Sequence, residues 1–235
     1  MLLAAACAWV WLIADPALDR CAARMSGSAS LPETLRMSLT MNPPGAWALG
    51  WAAMLVATML PTLTAPLRHV RQQSFARRRG RSVALFLTGY GAVWLAAGVV
   101  LTGLALVLAW ATPWAGGAVG AAALVWQASP AKQRCLNRGH AHPALAAFGG
   151  AADRSALRFG ALHGIWCAGS CWAWMLLPML LPRGRLLAMA AVGGLIFCER
   201  MERPERPCWK MRGLGRAVRM GMARVQTRGL VRIRL

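Results

Sequence analysis

RHVRQQSFARRRGR, residues 68–81, runs through Ser82 into VALFLTGYGAVWLAAGVVLTGLALVLAW, residues 83–110. The second part has no charged residue and exceeds the roughly 20 residues that carry a helix across a hydrocarbon core at about 1.5 Å per residue. The first part carries six arginines. A cationic block leading into an uncharged apolar run reads as a membrane helix entered from its cytoplasmic side.

Outward from this stretch, Leu2–Ala17, Ala46–Leu67, Pro113–Gln127, Phe159–Leu181 and Leu186–Cys198 are further apolar runs. Together they predict an all-α polytopic membrane helix bundle of about six transmembrane helices over residues 1–199, followed by a basic cytoplasmic tail at 200–235. The fourth and sixth runs are short for a bilayer. Pro113 and Pro182 bound runs, where a missing N–H costs little, whereas Pro61 and Pro178 lie inside runs and should kink them. Met1 to Ala14 lacks a basic leader, so it reads as a first span and not as a signal peptide.

Composition and charge placement agree with this reading. The chain is 57% hydrophobic and 14% charged, with a mean hydropathy of +0.45. A soluble domain needs more polar surface to cover its core. A net charge of +20 suggests nucleic acid at first sight. However, 22 of the 27 basic residues fall in three alternate segments, 68–81, 130–158 and 199–235. With six spans all three lie on one side, and the positive-inside rule makes that side cytoplasmic. The expected topology is therefore N-in and C-in, the expected partner is the lipid bilayer, and no nucleic acid is expected. The tail from Cys208 mixes cations with Met, Val and Leu, which suits an interfacial helix on anionic lipid at roughly 1 kcal/mol per surface cation. Its four glycines suit a solvated tail as well.

The chemistry-bearing residues concentrate in the fifth run, FGALHGIWCAGSCWAWMLLPMLL. His163, Cys167, Cys171 and Met175 recur every four residues, and each step turns a helical side chain by about 40°. Imidazole, thiolate and thioether together suit Cu(I) and, less specifically, Zn(II). An ionisable residue in a membrane span is expected to face the bundle interior. Packing explains the same residues without a metal: Cys and Met fill apolar gaps, and Gly160 and Gly164 form a GxxxG face beside His163. A second group follows the fourth run, WQASPAKQRCLNRGHAHP at 126–143. There His140 and His142 could chelate one ion, with Cys135 near in sequence, although the loop taken alone favours a solvated His pair among topology cations. Lys132, Arg134 and Arg138 read as topology residues. Glu199, beyond the sixth run, reads as an ion-pair partner. Spans nearly free of carboxylates exclude an acidic proton relay. No phosphate-binding loop, nucleophile elbow or zinc-protease motif occurs, so no enzyme is expected.

Five segments in order, MLPTLTAP (59–66), GYGAVW (89–94), WQASPAKQRCL (126–136), GALHGIWCAGSCWAWM (160–175) and Glu199-Arg200, resemble a bacterial family of predicted metal-binding integral membrane proteins associated with copper handling. The resemblance implies a multi-pass protein of the bacterial inner membrane, with metal on His163, Cys167 and Cys171 and with Cys135 from the preceding loop. Members often carry adjacent cysteines before the tryptophan, where this chain has Ser170 and then Cys171. The resulting expectation is a copper chaperone or metallocofactor-delivery factor serving a copper enzyme client. In it Met175 extends the site, and Cys135, His140 and His142 exchange the ion at the cytoplasmic face. The rival expectation is an accessory subunit packed among the subunits of a larger membrane complex.

Overall fold

A computed structural model describes residues 1–14, 43–181 and 184–213, with isolated positions between 30 and 40. Its regular structure among these residues is helical: α1 (Leu2–Ala14), α2 (Pro44–Met59), α3 (Thr64–Gln73), α4 (Arg79–Ala111), α5 (Ala115–Ala128), α6 (Pro130–Arg138), α7 (Gly149–Leu180) and α8 (Arg185–Arg200). Pro44 opens α2, where its fixed φ favours a helix start. Pro61 sits in a 3-10 turn, Leu60–Leu63, that joins α2 to α3, so the expected break is present. Pro178 is instead accommodated two residues before the end of α7. Ser129 caps α6, its hydroxyl accepting the Lys132 N–H at 3.1 Å, with Pro130 in the first turn.

Two helical segments are long and apolar enough to cross a membrane, Pro44–Gln73 and Ala76–Ala111. The other expected spans differ for separate reasons. Leu3–Ala14 and Ala115–Ala128 are apolar but short, and α8 has 16 residues. α7 has 32, but Asp153, Arg154 and Arg158 begin it, and Gly, Ser, His and Trp dilute the rest.

α7 is the axis of the described bundle, touching α4, α5, α6 and α8, and α4·α7 is its most extensive contact. Small residues make that contact possible. A Cβ on Gly160 would collide with the Phe86 carbonyl, and one on Gly89 with the Leu157 carbonyl. One on Gly164 would lie 3.0 Å from Val93 Cβ. The helices thus run parallel, backbone on backbone, as small-residue faces allow. Trp51 packs on Gly98, and its indole N–H donates to the Trp94 carbonyl at 2.9 Å.

The basic segments meet at one pole. Arg78 and Arg81 each lie 2.7 Å from an Asp153 carboxylate oxygen, tying the start of α4 to the start of α7. Desolvation pushes that carboxyl up, but the hydrogen bonds and charges of Arg81 and Arg78 outweigh it and hold it below its ordinary value. Residues 201–213 lie along α6 as a non-helical strap. Gln133 donates to the Cys208 and Lys210 carbonyls at 2.6 and 2.8 Å, and Asn137 donates to the Glu205 carbonyl at 2.6 Å. The part of the expected interfacial helix within the described residues is therefore not helical; its remainder, 214–235, lies outside them.

Candidate metal centre on α7

The fourfold spacing places the α7 stripe inside the bundle. His163 is 5% exposed, Cys167 0%, Cys171 1% and Met175 3%. Both cysteines are free thiols, within hydrogen-bonding reach of each other. The Cys171 thiol also donates to the Cys167 carbonyl at 3.0 Å. Ser170, standing where an adjacent cysteine was expected of relatives, donates to that same carbonyl at 2.8 Å.

α4 and α8 complete the surroundings. Tyr90, the one tyrosine of the chain, brings its hydroxyl to 3.4 Å from Cys167 Sγ. His163 lies among Phe86, Tyr90 and Phe159, each with its ring centroid 6.0 Å away. Neither His163 ring nitrogen has a hydrogen-bond partner among the described residues. Arg200 extends its guanidinium into interaction range of Cys167, Tyr90 and Cys171. Its three nitrogens are sealed from solvent and make no aligned hydrogen bond among the described residues. One of its terminal nitrogens lies against Gly139.

The loop residues do not join this stripe. Cys135 Sγ lies 3.1 Å from where a Gly169 Cβ would stand. Residue 169 is about 200° around the helix from both 167 and 171, so Cys135 is on the far face. Burial raises its thiol pKa, Arg138 and Arg200 opposing. His140 is occupied: its Nδ1 faces the Leu136 carbonyl at 2.9 Å and its Nε2 the Arg200 carbonyl at 3.2 Å. The expected His140–His142 chelate is therefore not formed. α6 ends at Arg138, the chain folds His140 back on its last turn, and His142 passes on toward α3. There His142 meets His69 edge-on, with centroids 5.1 Å apart. Both pack on Phe159, which in turn touches His163. His69 was hidden in the sequence as one residue of a basic block. Among the described residues no three His, Cys, Asp or Glu side chains group as a set able to hold a metal ion.

Behind the far side of the stripe lies a second buried polar centre, which also corrects the reading of Lys132 as a topology residue. Lys132 is 2% exposed and sits 2.7 Å from Glu199, itself 1% exposed. Gln127 bridges them, its amide nitrogen donating to Glu199 and its amide oxygen accepting from Lys132. Trp174 donates to that oxygen at 2.5 Å, and the Gln127 nitrogen reaches the Arg212 carbonyl at 3.1 Å. Burial lowers the Lys132 pKa, while Glu199 opposes the shift. The spacing Gln127-x₄-Lys132, a turn and a half across a Ser-Pro cap, was the available signal.

No curated protein and no solved structure matches the chain. A family described as "PpoB2: Copper chaperone" matches residues 48–223, about three quarters of the length and all of the residues around the stripe. The chain belongs to this copper chaperone family.

Proposed function

We propose that the chain is an integral membrane Cu(I) chaperone that holds the ion on Cys167 and Cys171, with His163 and Met175 as neighbouring soft or borderline donors. The observation that carries this reading is a pair of free thiols in mutual reach, buried beside a histidine with no hydrogen bond, in a chain of a copper chaperone family. Two thiolates suffice for Cu(I), a soft ion content with low coordination. A structural zinc site requires about four ligands, a set that the described residues do not bring together. The cargo would move by ligand exchange, each incoming donor binding before the last one leaves. His69 and His142, packed edge-on and tilted against Phe159 next to His163, are better placed for the outer step than His140 or Cys135. The recipient would be a copper enzyme client, and the protein itself would perform no catalysis.

In this reading the bundle crosses the inner membrane about six times with both ends inside. Contacts among segments 68–81, 130–158 and 201–213 support one cytoplasmic pole. Apolar side chains facing outward on α4 and α5, among them Val99 at 61%, Val100 at 67% and Val125 at 61% exposure, support a lipid-facing belt. The 214–235 tail would rest on anionic lipid. The test is a Cu(I) titration of the purified full chain in detergent against a competing chelator. Binding of one ion, lost in Cys167→Ser/Cys171→Ser, is expected; equal affinity in that double variant refutes the assignment. Stoichiometric co-purification with other membrane subunits and no metal uptake would favour the accessory-subunit reading instead.

A further inference from the structure

A buried arginine ordinarily faces a carboxylate, because removing its charge from water is costly unless it is compensated. Arg200 departs from that rule. Its neighbour Glu199 is committed to Lys132 and Gln127. The other ion-paired carboxylates among the described residues are Asp153, Glu202 and Glu205, whose partners are Arg78 and Arg81, Arg212, and Lys210. The Arg200 nitrogens, sealed and without an aligned hydrogen bond, lie instead within reach of the Cys167 thiol, with Cys171 and Tyr90 in their electrostatic range. One terminal nitrogen lies against Gly139, where a Cβ would have to displace the end of the arginine side chain. Among the described residues, then, no carboxylate pairs with the cation, and its near neighbour is the Cys167 sulfur.

Resting on the proposed copper reading, we infer that Arg200 is the counter-charge of the thiol centre and selects monovalent soft ions over divalent ones. The balance is explicit. Cu(I) with two thiols gives a bis-thiolate complex of charge −1 and releases two protons. Ag(I) does the same. Hg(II) with two thiols gives a neutral complex and also releases two protons. An isolated anion in a dry interior is unfavourable, so the first two complexes need a cation beside them and the third does not. Arg200 supplies that cation as a positioning residue without ligating the ion.

The test uses the full chain in detergent, as wild type, Arg200→Gln and Arg200→Lys, titrated with Cu(I), Ag(I) and Hg(II) against competing chelators. Arg200→Gln should weaken Cu(I) and Ag(I) by at least about tenfold and leave Hg(II) within about twofold, with Arg200→Lys recovering part of the monovalent loss. Thermal unfolding of each apo variant accompanies the titrations. Equal weakening for all three ions makes Arg200 a structural residue, and no weakening for any of them removes its role; either result overturns the inference while copper binding by wild type stands. A wild type that binds none of the ions, or a Cys167→Ser/Cys171→Ser variant that binds Cu(I) as wild type does, overturns the copper reading and this inference with it.

Discussion

The bundle holds two buried polar centres, one residue apart on α8, and they are built on opposite plans. At Glu199 the charges are matched: Lys132, Gln127 and Trp174 converge, and the Arg212 carbonyl completes the amide. At Arg200 they are not, since the three guanidinium nitrogens are sealed from solvent with no aligned hydrogen bond among the described residues. Satisfied buried networks fix a fold, whereas unsatisfied ones persist where something else uses them. The contrast makes the Lys132 centre a scaffold and, on the proposed reading, leaves the thiol centre for a guest.

Breaking the scaffold should have the largest effect. Glu199→Leu leaves Lys132 buried without its counter-ion, and should lower stability by roughly 3–5 kcal/mol, read as a lower thermal midpoint in detergent. The Lys132→Met/Glu199→Leu pair should regain most of that loss. A double variant as unstable as the single would mean that the network does more than neutralise itself. At the other centre the expectation reverses. His163→Phe places an apolar ring among Phe86, Tyr90 and Phe159, gives up no hydrogen bond, and should change apo stability by less than about 1 kcal/mol. A large loss there would show that His163 is structural and would erase the contrast.

The smallest effect sharpens the same comparison with an ion pair near the surface. Asp153 is held below its ordinary value in the folded chain, so its contribution is present at neutral pH. It should fade as the pH falls below about 3.8 and through the lowered folded value. Asp153→Asn should therefore narrow its gap from wild type in acid, measured as thermal midpoint against pH. A gap independent of pH would assign the residue's role to shape and not to charge.

Much of this was legible in the chain. The GxxxG face beside His163 was visible as a close-packing surface, and α4 meets α7 there. The i, i+4 rule placed His163, Cys167, Cys171 and Met175 on one interior face. What the sequence concealed was convergence over long separations. Lys132 and Glu199 are 67 residues apart; Glu199 read as an ion-pair partner, but Lys132 looked like a surface charge. His69 and His142 come from different segments, whereas His140, adjacent on paper, is turned away by the end of α6. Local periodicity tells which face a residue occupies, and it is silent on what stands opposite.

The strap at 201–213 bears on how the protein is made. Gln127 completes its amide with the Arg212 carbonyl 85 residues downstream, and Arg212 itself is buried against Glu202 and Asn137. Contacts of such separation form late, after the intervening chain exists. Synthesis must therefore pass residue 212 before the polar interior can close. Until then Lys132, already made, has neither Glu199 nor the strap above it. Until residues 201–213 emerge, the nascent bundle is an open vessel without its lid.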